Sequence, residues 1–398
     1  SNYTISYVAG SVSVTAAPQT ISFGPLTNQT WGVGTFTVSA TATSGLAVQF
    51  ASQTPATCTN VGTGAVFTLV STGTCTITAS QPGSLNYQAA TPVTQSLTIF
   101  KAASSVVFVE DFDPTKLNNP LHLAVTVTAV NPAAGTPSGQ VQLYVDGTAS
   151  GAPVTLGSGL ATITTSAIPL GTHSLTVGYL GSTLFLAGTS PAQTHRVVSR
   201  LTTTTAVVAS PTSTVYYQNV IFTATITRQN ASLGVTPSGT VQFTRDGVNL
   251  GAPVPVDVNG QARFSTVNSA VGQHTIAAIY SGDTNYSAST SQGLQFTVAR
   301  AATTTILSLA TPVSRAGAIV YRATVAAVAP GGGVPTGNVR FYRGGTLIGT
   351  AALVAGVATL TYTNTTLATG TYTMSARYGG STSYRTSVSP GVAQRVTL

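Results

Sequence analysis

The stretch PSGTVQFTRDG at residues 237–247 decides the fold class of this 398-residue chain, because near-copies of it recur. They read PSGQVQLYVDG at residues 137–147 and PTGNVRFYRGG at residues 335–345. In all three copies apolar and polar residues alternate after the Pro and Gly, which is typical of a β-strand with one buried face. The Asp-Gly or Gly-Gly pair that closes each copy favours a two-residue hairpin turn. The chain is therefore predicted to repeat one hairpin-containing β unit.

A second group of residues repeats downstream of each copy: a Gly, a His or Tyr two residues later, and then a Tyr, a Gly and an aromatic residue. The members are Gly171, His173, Tyr179, Gly181 and Phe185; Gly272, His274, Tyr280, Gly282 and Tyr286; Gly370, Tyr372, Tyr378, Gly380 and Tyr384. Residues 1–100 keep the same spacing at Gly73, Cys75, Gly83 and Tyr87. We therefore predict four domains, at residues 18–100, 101–199, 200–300 and 301–398.

The composition agrees with an all-β protein. Only 6% of residues are charged, where about 25% is usual, and Thr and Val dominate over strong helix formers. No apolar stretch reaches the 18 residues or so expected of a membrane-spanning helix. Turn-favouring residues recur about every 8–12 residues, which predicts six or seven short strands per domain in a two-sheet sandwich. The expected fold class is all-β, with tandem β-sandwich domains in a linear array.

The repeats also resemble a known family. GTVQFTRDG from Gly239 and VGQHTIAAIYSGDTNY from Val271 resemble the bacterial immunoglobulin-like repeat of large surface proteins, and the resemblance covers residues 101–398. The first domain is similar to a related module in QTISFGPL, TPATCT and GTCTITASQPGSLNY. The resemblance implies tandem immunoglobulin-like β-sandwich domains in a linear array. It also implies export to the cell surface or the extracellular space and a role as a stalk, adhesin or filament subunit. It supplies no catalytic residue, so we expect neither enzymatic activity nor a cofactor.

Charge is distributed unevenly along the chain. Residues 1–100 contain no charged side chain, and residues 301–398 contain seven Arg and no acidic residue. These Arg residues stand singly along predicted strands, so we expect no nucleic-acid interface. Two alternative functions remain. One is an adhesin-type binding module, in which the Arg-rich fourth domain recognises a surface glycan or a protein partner. The other is an accessory region of a larger secreted enzyme.

The two cysteines, Cys58 and Cys75, have a spacing that fits neither a metal site nor a redox motif. A disulfide is expected if the chain is exported. Because Cys75 opens a predicted strand, we expect Cys58 to lie on an adjacent strand.

His173, His274 and Tyr372 occupy one repeat position. A metal ligand or a catalytic group would not tolerate such an exchange between copies of one domain. We therefore predict a structural corner, in which the ring bonds to nearby backbone as the tyrosine corner of immunoglobulin-like sandwiches does.

One acidic cluster stands out, at Glu110, Asp111 and Asp113. Three carboxylates at the end of a sandwich are suited to Ca²⁺, which takes about six to eight oxygen ligands. The simpler interpretation is the solvated edge of a first strand, with no metal. No nucleophile motif or predicted cleft accompanies the cluster.

Residues 1–17 look like the last strand of a further repeat whose body is missing, with Tyr3, Val8, Val12 and Val14 as its apolar residues. Such a strand would complete a neighbouring domain of a longer chain. It could also act as a donor strand that adds to another copy and builds a head-to-tail filament. A piece cut from a longer chain at an arbitrary place is the other interpretation.

Overall fold

The computed structural model describes residues 3–230, 233–267, 270–314, 317–363 and 367–398, and these residues contain strands but no helix. The chain divides into two compact units, Ser1–Ser199 and Arg200–Leu398. Each unit contains two sandwiches, and the described part of each sandwich has nine strands rather than six or seven. The excess comes from two-residue strands at the sheet edges. The all-β fold class is confirmed.

The first sandwich has a four-stranded sheet of order β2-β9-β8-β5, a three-stranded sheet of order β3-β7-β6 and the short pair β1-β4. Its strands are β1 (Ile21–Ser22), β2 (Gln29–Thr30), β3 (Thr35–Thr37), β4 (Thr41–Ala42), β5 (Gln49–Ser52), β6 (Cys58–Asn60), β7 (Val66–Leu69), β8 (Gly73–Ser80) and β9 (Val93–Phe100).

The second sandwich pairs a three-stranded sheet, β10-β12-β15, with a larger sheet, β11-β18-β16-β13-β14, which β17 joins through β16. Its strands are β10 (Ser104–Glu110), β11 (Thr115–Lys116), β12 (Leu121–Ala129), β13 (Gln140–Val145), β14 (Thr148–Thr155), β15 (Leu160–Thr165), β16 (Gly171–Tyr179), β17 (Gly188–Thr189) and β18 (Gln193–Val198).

The third and fourth sandwiches repeat this topology. The third has β19 (Thr203–Ser210), β20 (Thr214–Val215), β21 (Asn219–Arg228), β22 (Thr240–Arg245), β23 (Val248–Pro255), β24 (Gln261–Val267), β25 (Gly272–Tyr280), β26 (Ser289–Thr290) and β27 (Leu294–Ala299). The fourth has β28 (Thr303–Leu309), β29 (Val313–Ser314), β30 (Ala318–Ala327), β31 (Asn338–Arg343), β32 (Thr346–Ala352), β33 (Val357–Thr363), β34 (Gly370–Tyr378), β35 (Ser387–Val388) and β36 (Val392–Thr397).

The hairpin that the opening sequence stretch predicts is present. Val145 pairs with Thr148 across the turn formed by Asp146 and Gly147. Asp146 has a φ of 50°, in the left-handed region that Asp and Asn tolerate better than most residues. The alternation is also confirmed, because Leu121, Leu123, Val125 and Val127 of β12 are all buried in the core.

Cys58 and Cys75 form a disulfide, and both are completely buried in the first core. The prediction that they lie on adjacent strands is wrong. Cys58 is in β6, which pairs only with β7 in the three-stranded sheet, whereas Cys75 is in β8 of the four-stranded sheet. The bond therefore joins the two layers of the sandwich rather than two neighbours in one sheet. Strand β7 lies between the two cysteines in sequence and belongs to the same sheet as β6, so the chain changes layer between β7 and β8.

Residues 3–16 form no strand, and Tyr3, Val8, Val12 and Val14 are each about nine-tenths exposed. Regular contact begins at Ala17, which forms a parallel bridge with Tyr87.

Candidate functional site

A contact between the two sandwiches of the first unit begins directly after β2. The ring of Trp31 packs edge-on against the ring of Phe185, with centroids 5.2 Å apart. The N–H of Ala134 donates to the carbonyl oxygen of Gly32 at 2.8 Å. The hydroxyl of Thr72 also donates across the contact, to the carbonyl oxygen of Thr183 at 2.8 Å. We call this contact the aromatic joint.

A glycine makes the approach of Trp31 possible. Gly135 has a φ of 109°, and a Cβ at this position would lie 2.8 Å from the Trp31 ring. Any other residue would therefore strain the backbone and clash with the indole. The sequence Ala133-Ala134-Gly135 supplies a loop small enough for the indole to lie against it.

The second unit contains the same joint. Tyr216 follows β20 and packs edge-on against Tyr384, with ring centroids 5.2 Å apart. The N–H of Gly332 donates to the carbonyl oxygen of Tyr216 at 3.3 Å. The loop here is Gly331-Gly332-Gly333, at the same offset from the repeated Pro as residues 133–135. Sequence reasoning missed the joint, although an aromatic residue after the short strand and a small-residue loop before the Pro were its signals.

The connections inside each unit are also fixed to the following sandwich. Ala102 and Ala301 are completely buried and form parallel bridges with Phe185 and Tyr384. The N–H of Ala102 donates to the carbonyl oxygen of Leu184 at 2.9 Å, and its own carbonyl accepts from Leu186 at 2.8 Å. Within a unit, therefore, the connection is paired backbone and not a flexible spacer.

The predicted corner residues all bind backbone four residues upstream. His173 Nε2 lies 3.1 Å from the carbonyl oxygen of Pro169, and His274 Nε2 lies 3.3 Å from that of Ala270. The hydroxyl of Tyr372 donates to the carbonyl oxygen of Ala368 at 2.9 Å. Two imidazole rings and one phenol ring thus reach the equivalent carbonyl.

Each corner histidine has a second partner that sequence reasoning missed. His173 Nδ1 lies 2.7 Å from Asp146 Oδ2, and His274 Nδ1 lies 2.7 Å from Asp246 Oδ2. Because both partners of His173 are acceptors, only the protonated ring makes both hydrogen bonds, and its pKa is raised, chiefly by Asp146. The same hydrogen bond lowers the pKa of Asp146. The signal was available, since these are the Asp residues of the Asp-Gly turns.

The acidic cluster of the second domain is divided by the structure. Asp111 bonds to His122, with Oδ2 and Nδ1 2.7 Å apart, whereas Glu110 and Asp113 face the buried His195. Asp111 therefore has a different partner from Glu110 and Asp113, the other two members of the calcium candidate. Glu110, Asp113 and His195 instead offer three ligand atoms within 4.8 Å of one another. Burial raises the pKa of Glu110.

His195 connects three strands through its two nitrogens. Nδ1 lies 2.8 Å from Glu110 Oε2, and Nε2 lies 2.8 Å from the hydroxyl of Thr115. Thr–His–Glu is the order of groups in a nucleophilic triad. Here, however, Thr115 is only 2% exposed and His195 is completely buried, so a substrate could not reach the hydroxyl.

The repeat position of His195 is occupied by other residue types in the third and fourth domains. The third residue of the last strand is His195 in the second domain, Phe296 in the third and Gln394 in the fourth. All three are buried. The exchange indicates that His195 fills a core position.

The family model for the bacterial Ig-like domain (group 3) matches residues 112–198, 207–299 and 306–397. The chain belongs to this family. The resemblance of residues 101–398 to bacterial immunoglobulin-like repeats is thereby confirmed, while residues 18–100 lie outside the three matches. Ig-like domains are generally non-catalytic. The described residues hold no helix with the length and apolar character needed to cross a membrane.

Three solved structures are similar to the chain. A tetra-tandem repeat in the extending region of a large adhesion protein is 18% identical, with 96% of this chain and 100% of that chain covered and a TM-score of 0.32. A putative membrane anchored protein from Corynebacterium diphtheriae is 14% identical, with 82% and 99% covered and a TM-score of 0.28. The fibronectin(III)-like modules of CbhA from Clostridium thermocellum are 20% identical, with 49% and 94% covered and a TM-score of 0.24. No curated protein matches the chain.

Proposed function

We propose that the chain is a non-enzymatic structural protein of the bacterial cell surface or extracellular space, in which tandem Ig-like domains form a stalk. The observation that carries this proposal is the aromatic joint, built twice from different residues: Trp31 on Phe185 and Tyr216 on Tyr384. An edge-to-face aromatic pair contributes about 0.5–1.5 kcal/mol beyond the area it buries. A stalk needs neighbouring domains to be held together, and the joint supports this for the two sandwiches within each unit.

The disulfide supports an extracellular location. Cys58 and Cys75 are completely buried and joined across the sandwich. Such bonds persist in oxidising compartments and are rare in the bacterial cytoplasm.

The surroundings of His173, His195 and His274 support a structural role. The triad-like set of Thr115, His195 and Glu110 is closed to substrate by the burial of Thr115 and His195. The corner histidines His173 and His274 are held by backbone carbonyls and by Asp residues. Each therefore has a structural partner that accounts for it.

Filament formation by strand complementation is the more specific form of the proposal. Residues 3–16 offer exposed apolar side chains and form no strand in the structure. The equivalent strand in each domain is β9, β18, β27 or β36, and all four are already paired within their own domains. A donor strand from residues 3–16 would therefore add to an incomplete neighbouring domain or to another sheet edge.

The location is tested by labelling cells of the bacterium that produces the protein with antibodies raised against the purified chain. Intact cells should label as strongly as permeabilised cells, while a cytoplasmic protein should label only after permeabilisation. Labelling that needs permeabilisation would overturn the surface proposal. For strand complementation, the full chain and a variant lacking residues 1–17 are compared by sedimentation and electron microscopy. Equal assembly of the two would overturn the donor-strand proposal alone.

A further inference from the structure

Two arginines lie directly opposite each other on the fourth domain, residues 301–398. Arg340 of β31 pairs with Arg377 of the neighbouring antiparallel strand β34. Both side chains are exposed. Side chains opposed in this way have Cβ atoms about 4.5–5.5 Å apart, and like charges at this distance are destabilising.

An aromatic ring holds one of the two guanidinium groups in place. Tyr342 lies two residues along β31 from Arg340, on the same face, and the guanidinium carbon of Arg377 is 4.6 Å from the centroid of the Tyr342 ring. The stacking orients the Arg377 side chain but does not neutralise its charge. We call Arg340, Tyr342 and Arg377 the arginine face.

No carboxylate in the domain offsets the repulsion. Residues 301–398 contain seven Arg and neither Asp nor Glu. Within the part of the chain that the structure describes, no ion pair involves Arg340 or Arg377. The face therefore carries two adjacent positive charges that the domain itself does not compensate.

The other domains do not share this pair. Gln142 faces Gly178 in the second domain, and Gln242 faces Ile279 in the third. The amide of Gln142 donates to the carbonyl oxygens of Leu143 and Ser150, both at 2.9 Å, at the bulge between β13 and β14.

In the fourth domain the equivalent bulge is displaced. The register shift falls between Phe341 and Tyr342, and Arg340 pairs regularly with Thr350. Arg340 is consequently exposed, whereas its equivalent Gln142 is buried. The second and third domains thus adopt the same fold without an arginine pair. This indicates that the pair serves something other than folding.

We propose that the arginine face binds an acidic polysaccharide through its carboxylate or sulfate groups. Guanidinium groups pair with such oxyanions through two parallel hydrogen bonds, which favours Arg over Lys. The charge of the ligand offsets the repulsion between Arg340 and Arg377. The exposed sheet face admits an extended chain, and Tyr342 adds an apolar plane with a polar edge. This activity goes beyond a stalk and is independent of it.

The test uses the full chain, heparin and polygalacturonate as acidic polysaccharides, and dextran as a neutral one. Binding is measured by titration calorimetry at low and high salt. The variant Arg340→Gln/Arg377→Ile installs the pair of the third domain, so the fold should be retained. We expect the affinity for the acidic chains to fall by about tenfold or more, since two charge-assisted contacts are lost. Arg340→Gln/Arg377→Gln provides a second variant if the first does not fold.

A charge-matched control separates a site from general attraction. Arg322→Thr/Arg395→Thr also removes two positive charges and installs Thr223 and Thr297 of the third domain. Arg322 lies in the other sheet, and Arg395 pairs with Thr371, six residues along β34 from Arg377. The control should retain nearly all of the affinity, and dextran should not bind. Equal loss in both variants, or no loss in either, would overturn the proposal. Tighter binding to a DNA duplex or to anionic lipid vesicles than to either polysaccharide would overturn it in favour of that ligand.

Discussion

One repeat position shows how far residue-scale reasoning extends. The exchange among His173, His274 and Tyr372 predicts a structural ring that bonds to backbone, and in the structure each ring reaches a carbonyl four residues upstream. The Asp partners of the two histidines were not predicted, because their Asp-Gly turns had already been explained by hairpin geometry. The fourth domain has Gly344 in place of the Asp, and Arg343 lies over the Tyr372 ring instead, 5.5 Å from its centroid.

The corner role predicts which substitutions the second domain tolerates. His173→Tyr combined with Asp146→Gly installs the ring and turn of the fourth domain, so thermal unfolding should remain nearly unchanged. His173→Ala should cost about 1 kcal/mol, because the carbonyl of Pro169 loses its donor. Calorimetry of the full chain measures both. A double variant as unstable as the Ala variant would contradict the corner role.

The pair of His173 and Asp146 should make stability depend on pH. Because the pKa of His173 is raised, the pair contributes to the free energy of unfolding. This contribution is complete below the ordinary pKa of His and is lost as the pH rises through the pKa in the folded protein. The lowered pKa of Asp146 gives a second contribution to the free energy of unfolding, which is complete above the ordinary pKa of Asp and is lost on acidification through the lowered pKa. The pair therefore contributes most between about pH 4 and 6.5.

Asp146→Asn keeps an acceptor for the N–H of Ser174 and suits the positive φ of this position. The variant should lower the melting temperature more at pH 5 than at pH 8, and the NMR titration of His173 should shift to lower pH. An unchanged His173 titration would rule out this coupling.

At the scale of strands and loops, periodicity predicted the sheets well. The alternation placed the buried residues of β12, and the turn pairs placed the hairpins. The disulfide partner was misplaced because spacing along a chain does not specify which layer a strand joins. The aromatic joint was missed for a related reason. Trp31 contacts Phe185, which is far away in sequence, and no local period records such a contact.

Trp31 is the only tryptophan of the chain, so its fluorescence reports directly on the first joint. Gly135→Ala places a Cβ against the indole, and it should shift the emission to longer wavelength and increase quenching by acrylamide. Gly34→Ala is the matched control, because Gly34 also has a positive φ but has open space around it. Equal spectra for the two variants would show that Gly135 is not required for the joint.

At the scale of the whole molecule, sequence spacing predicted four domains, and the structure groups the chain into two compact units, each with two sandwiches. The charge count identified the fourth domain as the basic one, but the opposed arginines required the register of β31 and β34. The number of domains that fold independently depends on how strongly each joint couples the two sandwiches that it connects. The spacing of sequence repeats does not give the strength of this coupling. An edge-to-face aromatic pair contributes only about 0.5–1.5 kcal/mol, so we expect each sandwich to unfold by itself under load.

Pulling the full chain from both ends by single-molecule force spectroscopy tests the stalk most directly. Four independent domains of about 100 residues should give four unfolding events, each releasing roughly 30 nm at about 3.5 Å per residue. The event of the first domain, residues 18–100, should be the shortest and should lengthen by about 6 nm on reduction, because the disulfide excludes the loop between Cys58 and Cys75 from extension. Two events of about twice that length, or gradual extension without discrete events, would contradict an array of four load-bearing domains.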